Sequence, residues 1–199
     1  MTYFNKIKNQ YRHYWFPVVL IVFFALLQWV GKDSLRYQND LLSSHQWWRV
    51  LSAHWVHLNW LHWLLNSAGF LLLVALLELK WSARYWLLII SLQSLSISLG
   101  FLLFNPNLIW YVGFSGVLYG LYIFAAITRF KKDRFIASAI LLLVLVKVVI
   151  EQWFGDSASS AALLGAPVVV DAHAYGVLCG GLMGTFIQFK KMKNYEKNK

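Results

Sequence analysis

Six long apolar runs, separated by short polar or basic stretches, dominate this chain of 199 residues. Apolar residues make up 59% of the sequence and charged residues only 13%, against about 45–50% and about 25% in an average globular domain. A helix that crosses the core of a bilayer needs about 20 predominantly apolar residues. The sequence therefore predicts an all-α membrane protein with six transmembrane helices, forming one polytopic domain over residues 1–199.

The predicted spans follow the six runs at approximately residues 15–30, 57–79, 83–104, 115–130, 135–154 and 168–189. The first run follows a basic segment, as the apolar core of a signal peptide does. No small-x-small cleavage site comes after it, so we interpret it as an uncleaved first span. A polar, aromatic stretch over residues 31–56 joins it to the second span.

The basic residues predict the orientation of the bundle. Fourteen of them lie in the N-terminal segment, the 2–3 loop, the 4–5 loop and the C-terminal tail, whereas three lie on the opposite side and Lys147 lies inside span five. Lys and Arg accumulate in cytoplasmic loops, so we expect both termini in the cytoplasm and the tail to contact anionic lipid. The same clustering accounts for the net charge of +10 and argues against nucleic acid as a partner.

Polar side chains are costly at membrane depth and are usually functional, and the first group of them opens span two. His62 and Asn66 are four residues apart, so they share one face of a helix. His57 lies about 140° from His62 around the helix, which disfavours a metal site built from His54, His57 and His62. Because the chain has a single cysteine, Cys179, a thiolate zinc cluster is also excluded, and we predict neither metal nor cofactor.

The second polar group opens span four with Gly-Phe-Ser-Gly at residues 113–116. Its spacing differs from the GxSxG elbow of α/β-hydrolases because position 117 is valine. The serine, Ser115, begins a helix between small residues that let substrate or another backbone approach. A plain helix cap is the alternative role for this serine. Tyr119 lies one turn further along the same face.

The third polar group places His173 above a stripe of glycines at the start of span six. The stripe consists of Gly176, Gly180 and Gly184, and a matching pair on span four consists of Gly116 and Gly120. Small residues at this spacing allow close helix packing in lipid. If spans four and six pack through them, Ser115 and His173 meet at similar depth near the outer surface.

Ser115 and His173 together predict a serine nucleophile and its base, because a serine hydroxyl becomes nucleophilic when a base takes its proton. The oxyanion that forms needs donors fixed in advance, which the Asn66 amide, the His62 imidazole and the Ser115 backbone N–H could supply. Asp171 is two residues from His173 and would point elsewhere on a helix. We therefore expect a Ser–His dyad without a carboxylate partner.

Taken in chain order, these segments resemble the rhomboid intramembrane serine proteases. The resemblance consists of Trp48-Arg49, His57, His62-x3-Asn66, Gly113-x-Ser115-Gly116 with Tyr119, and Ala172-His173-x2-Gly176-x3-Gly180. It covers spans two to six and implies a six-helix bundle with a water-filled cavity open to the outside. It also implies that residues 31–56 form a membrane-dipping first loop, which Trp48 and Arg49 help to shape.

The resemblance implies the roles of the polar residues as well. Ser115 would be the nucleophile, His173 the base, and His62 and Asn66 the oxyanion donors. The substrates would be transmembrane proteins whose segments are destabilised by small or glycine-rich stretches, cleaved within the lipid bilayer without a cofactor.

Within the family, the short six-span form and the His-Asn segment are most similar to rhombosortase. That similarity implies processing of exported bacterial proteins near a C-terminal Gly-Gly anchor, in the inner membrane, with the active site open to the periplasmic side. Two features depart from the pattern. Ala174-Tyr175 follows the histidine where many relatives carry a smaller or aliphatic pair, and Lys147 inside span five is unusual.

Three alternative functions stay open at this point. A housekeeping rhomboid of broader substrate range competes with rhombosortase within the same class of protease. A rhomboid-like pseudoprotease would bind client helices without cleaving them, although the intact Ser115 and His173 argue against it. A metal or haem transporter would need His54, His57 and His62 to converge.

Overall fold

The computed structural model describes residues 14–40 and 44–197, and within them the chain is helical, without a β-strand. The described helices are α1 Trp15–Val30, α2 Lys32–Leu35, α3 Arg49–Ser52, α4 Trp60–Leu76, α5 Ala83–Phe104, α6 Ser115–Arg129, α7 Arg134–Phe154, α8 Ala158–Leu164 and α9 Asp171–Lys197. The predicted basic N-terminal segment lies outside these residues. The prediction of an all-α fold is confirmed for the described part of the chain.

Six of the helices overlap the six apolar runs, with small differences at their ends. Helix α4 begins three residues later than predicted because Asn59 caps it, its Oδ1 accepting the His62 backbone N–H at 2.8 Å. Helix α9 begins at Asp171 and continues to Lys197 through the basic tail. Among the described helices, α5 and α7 are long and apolar enough to cross a membrane, and α1 and α4 are shorter apolar helices.

Helix α7 shows the kind of surface that the bundle presents outward. Leu142, Leu143, Val149 and Trp153 are all exposed along it. A surface this apolar would be unfavourable in water and suits contact with lipid. Contact with lipid does not explain the two charged residues inside the same helix, Lys147 and Glu151.

Helix α6 lies at the centre of the bundle and packs closely against α9. An added Cβ at Gly176 would collide with the carbonyl oxygen of Gly116, and one at Gly180 with that of Gly120. A Cβ at Gly116 would come within 2.7 Å of the Ala172 carbonyl oxygen. The predicted packing of these two helices through their glycines is confirmed.

The first loop is organised by a buried arginine. Arg49 donates from Nε to Gln46 Oε1 at 2.8 Å, and from Nη1 to the carbonyl oxygens of Asp33 at 3.0 Å and Arg36 at 2.8 Å. These bonds join α2 to α3 across the loop. Trp48 is half exposed and makes one long bond, from Nε1 to the Ser34 carbonyl at 3.4 Å.

Backbone contacts tie this loop to the segment that leads into α6. Tyr37 and Tyr111 form an isolated antiparallel bridge, with N···O distances of 3.0 and 3.1 Å. Two residues later, the Gly113 N–H donates to the Ala53 carbonyl at 3.0 Å. The loop therefore positions the start of α6, where Ser115 lies.

The opposite end of α6 carries basic residues. Arg129 donates to the carbonyl oxygens of Leu77 and Glu78, and Lys132 Nζ lies 2.6 Å from the Glu78 carboxylate. The hydrogen bond from Lys132 holds the pKa of Glu78 below its ordinary value. Ser115 and the 4–5 loop thus lie at opposite ends of one helix.

Replacing Gly180 by alanine should destabilise the bundle, whereas the same change at Gly181 should not. A Cβ at position 180 meets backbone, but one at position 181 meets only Ile123 Cγ2 at 3.9 Å. Overpacking costs about 1–3 kcal/mol, and each kcal/mol lowers Tm by about 2–4 °C in a chain of this size. Thermal unfolding in detergent micelles would check this, and equal Tm values for the two variants would contradict the packing described.

Candidate active site

The structure brings Ser115 and His173 into contact. Ser115 is the first residue of α6 and His173 the third of α9, and Ser115 Oγ lies 2.8 Å from His173 Nε2. The two backbones are also close at the neighbouring residues, since a Cβ added at Gly116 would lie 2.7 Å from the Ala172 carbonyl oxygen. The close packing of small residues therefore sets the distance between the hydroxyl and the imidazole.

Tyr119 fixes the plane of the imidazole. Its ring lies parallel to that of His173, with an interplanar angle of 4° and a centroid separation of 4.2 Å. Tyr119 follows Ser115 by one helical turn, so both side chains contact the same histidine from one face of α6.

The prediction that His173 has no carboxylate partner is wrong. Glu151 of α7 places Oε2 2.7 Å from His173 Nδ1, and its other oxygen lies 3.0 Å from Lys147 Nζ. Glu151 precedes His173 by 22 residues and lies on another helix, so proximity in the sequence did not indicate it. The sequence does contain a signal for this partner, because Lys147 and Glu151 are two charges four residues apart within an apolar span. Ionisable residues at such depth are usually functional.

The expectation that Asp171 points away from His173 is confirmed. Its Oδ2 accepts from Asn105 Nδ2 at 2.6 Å. The Tyr175 hydroxyl donates to Oδ1 of the same asparagine at 2.6 Å, and its ring packs where Gly100 leaves room on α5. Tyr175, one of the two residues that depart from the pattern of many relatives, therefore adds a contact to α5.

His62 and Ser115 both lie close to Gly113. A Cβ at Gly113 would be 3.1 Å from His62 Cε1 and 3.9 Å from Ser115 Oγ. The φ of Gly113 is +136°, a conformation that glycine adopts far more readily than other residues. Glycine at this position thus allows the histidine ring to approach the serine.

Asn66 lies one turn after His62, and both side chains are buried on the same face of α4. Asn66 Nδ2 donates to the His62 carbonyl at 2.9 Å. His62 Nδ1 receives a long hydrogen bond from the Leu58 N–H at 3.5 Å.

The other two histidines have different surroundings. His57 lies edge-on to His62 with centroids 5.2 Å apart, and its backbone is held on both sides by the Gln28 side chain. His54 Nε2 lies 3.0 Å from Ser98 Oγ on α5. Within residues 14–40 and 44–197, no three His, Cys, Asp or Glu side chains are grouped so as to hold a metal ion.

A cavity of about 250 Å³ lies beside Ser115 and His173. Its polar lining includes His62, Asn66, Ser115, Tyr119, Lys147, Glu151 and His173. Because a molecule of liquid water occupies about 30 Å³, the cavity has room for several. Trp48 and Arg49 belong to the first loop instead and contact residues there.

The helical bundle thus places Ser115, which is partly buried, against the buried His173 beside this cavity. The family model described as Rhomboid domain matches residues 44–190, and this chain belongs to the rhomboid family. It is also 24% identical over 181 residues to "Putative rhomboid protease YdcA" of Bacillus subtilis (strain 168), covering 87% of this chain and 84% of that protein. Rhomboid proteins are integral to the membrane and act on membrane-embedded substrates.

Proposed function

We propose that this protein is an intramembrane serine endopeptidase that cleaves transmembrane segments of other proteins. The observation that carries the proposal is the 2.8 Å contact between Ser115 Oγ and His173 Nε2 beside a cavity with room for water. Family membership supports the same reaction class.

In the proposed reaction, Ser115 Oγ forms a bond to the scissile carbonyl carbon while its proton passes to His173 Nε2. The carbonyl π electrons move to oxygen and give a tetrahedral oxyanion. Collapse of this intermediate breaks the C–N bond, and the departing amine takes the proton from Nε2. A water molecule then repeats the sequence on the acyl-enzyme, with His173 again as base, and releases the acid product.

Three donors support the proposed oxyanion site. The Ser115 N–H lies at the start of α6, where backbone N–H groups lack an intrahelical partner. One N–H of the Asn66 amide is bonded to the His62 carbonyl, which leaves its second N–H to donate. His62 Nδ1 accepts the Leu58 N–H, so the neutral His62 ring carries its proton on Nε2. A Cβ added at Gly113 would lie 3.7 Å from this Nε2.

The proposed substrate is a transmembrane segment with small residues near the cleaved bond. A helix conceals its own carbonyl groups, so cleavage requires local unwinding, which glycine favours by about 0.5–1 kcal/mol relative to alanine. The similarity to rhombosortase in the His-Asn segment adds a narrower proposal, that the substrates are exported bacterial proteins with C-terminal Gly-Gly anchors. A housekeeping rhomboid and a non-catalytic client-binding protein are the competing functions.

We further propose six membrane spans, with both termini in the cytoplasm of a bacterial cell and the active site open to the periplasmic side. Support comes from the direction of α6, which begins at Ser115 and ends at Arg129 beside the basic 4–5 loop. Helix α9 likewise runs from His173 towards the basic tail. Basic loops accumulate on the cytoplasmic side, so the serine and histidine lie at the other side.

Ser115→Ala should lower cleavage of a tagged transmembrane substrate by more than about 10³-fold, because the nucleophile is lost. Ser67→Ala is the matched control, since the Ser67 hydroxyl is bonded to the Trp63 carbonyl of its own helix at 2.7 Å. We expect the control to cleave at the wild-type rate in co-expression or in liposomes. Equal cleavage by wild type and Ser115→Ala would remove the proposed function.

The narrower substrate proposal predicts that wild-type protein cleaves a tail containing Gly-Gly faster than the same tail with Leu-Leu. The ratio of the two initial rates, measured in one membrane preparation, checks this. Cleavage of generic rhomboid substrates without cleavage of the Gly-Gly tail would favour the housekeeping function. Stable binding of both tails without any product would favour a client-binding protein.

A further inference from the structure

We propose that Glu151 is a positioning residue of the active site, which holds the base His173 and is itself held by Lys147. The proposal rests on the proposed protease function and specifies what orients its base. It extends the predicted serine–histidine pair to a chain of four side chains from three helices, α6, α9 and α7.

The two nitrogens of the imidazole have different partners. Nδ1 lies 2.7 Å from Glu151 Oε2, and Nε2 lies 2.8 Å from Ser115 Oγ. An ionised carboxylate only accepts hydrogen bonds, so Nδ1 carries the proton of the neutral ring. Nε2 is then the acceptor for the Ser115 hydroxyl, which is the tautomer that a general base requires.

Both partners in the contact between His173 and Glu151 are buried. The side chains of His173 and Glu151 are 5% and 6% exposed. A buried charge is costly unless it is paired, and Glu151 has one partner for each oxygen, His173 for Oε2 and Lys147 for Oε1. When the proton of Ser115 moves to Nε2, the imidazolium that forms lies beside a carboxylate already in place.

Lys147 forms an ion pair with the other oxygen of the Glu151 carboxylate. It lies four residues before Glu151 on α7, with Nζ 3.0 Å from Oε1, and its own side chain is 55% exposed and lines the cavity. A lysine can keep its charged end near water while its stem crosses apolar surface. Lys147 therefore balances the carboxylate from the wet side, which explains an otherwise unusual charge inside this apolar helix.

Glu151 and Tyr119 restrict the imidazole in complementary ways. Tyr119 stacks on His173 with an angle of 4° between the two ring planes, which fixes the plane of the imidazole. The bond from Nδ1 to Glu151 then directs Nε2 towards Ser115. The nearby carboxylates of Asp171 and Asp156 are engaged elsewhere, with Asn105 Nδ2 at 2.6 Å and the Val168 N–H at 2.8 Å.

Glu151→Gln tests the proposal. The amide keeps the shape of the side chain but can present an N–H to Nδ1 and so favour the wrong tautomer. We expect kcat on a cleavable transmembrane substrate to fall by about 10²-fold or more, with KM within about threefold and Tm in detergent unchanged. Asp171→Asn is the matched control, because it removes the same charge close to His173 and should keep the wild-type kcat.

The result that overturns the proposal is a kcat for Glu151→Gln within threefold of wild type while Ser115→Ala is inactive. Cleavage by Ser115→Ala would instead overturn the protease function itself, so the two failures are distinguishable. A fall in Tm without a change in kcat would also overturn the proposal, since it would make Glu151 merely structural.

Lys147→Met provides a second, independent test that holds even if Glu151→Gln does not fold. We expect a smaller fall in kcat, about three- to tenfold, with unchanged KM and Tm. The double variant should be no slower than Glu151→Gln alone, because Lys147 acts through Glu151. A wild-type kcat for Lys147→Met, or independent effects that multiply in the double variant, would overturn the role of Lys147.

Discussion

The close approach of α6 and α9 brings together the two helices that carry Ser115 and His173. Glycine at positions 116, 120, 176 and 180 lets the two backbones meet where any Cβ would collide with a carbonyl oxygen. In lipid, helices associate by van der Waals packing and hydrogen bonds, since there is no hydrophobic driving force between them. This contact also aligns the starts of both helices, so Ser115 and His173 meet without the support of a rigid sheet.

Four polar side chains of this apolar bundle are connected by hydrogen bonds and an ion pair. Ser115 bonds to His173, His173 to Glu151, and Glu151 to Lys147, whose end reaches the cavity. A partly satisfied polar network is costly in a medium of low dielectric constant, whereas a fully satisfied one is rigid. The hydrogen bonds that satisfy these four side chains in the bundle also orient His173, the proposed base.

Much of the fold followed from the sequence because hydrophobic runs and small-residue spacing are local signals. The apolar runs correspond to the six long helices, and the glycine stripes indicated which two would pack closely. The serine–histidine pair followed from that packing. Helix ends were less predictable, because α4 begins where Asn59 caps it, which a hydropathy pattern does not show.

Glu151 could not be predicted in the same way. Its position beside His173 depends on how α7 is rotated and how deep it lies against α9, and neither is fixed by the sequence of α7 alone. The contacts of Gln28 with the His57 backbone and of Arg49 with the first loop are also long-range. The choice of substrate is still harder to predict from the sequence, because it depends on contacts with a molecule outside this chain.

Labelling with a fluorophosphonate probe shows whether His173 activates Ser115, because such probes form adducts with serines that a base has activated. We expect an adduct on Ser115 in the wild-type protein, located by mass spectrometry of its peptides, and no adduct in His173→Ala. An adduct on another serine, or undiminished labelling of Ser115 without the histidine, would contradict it.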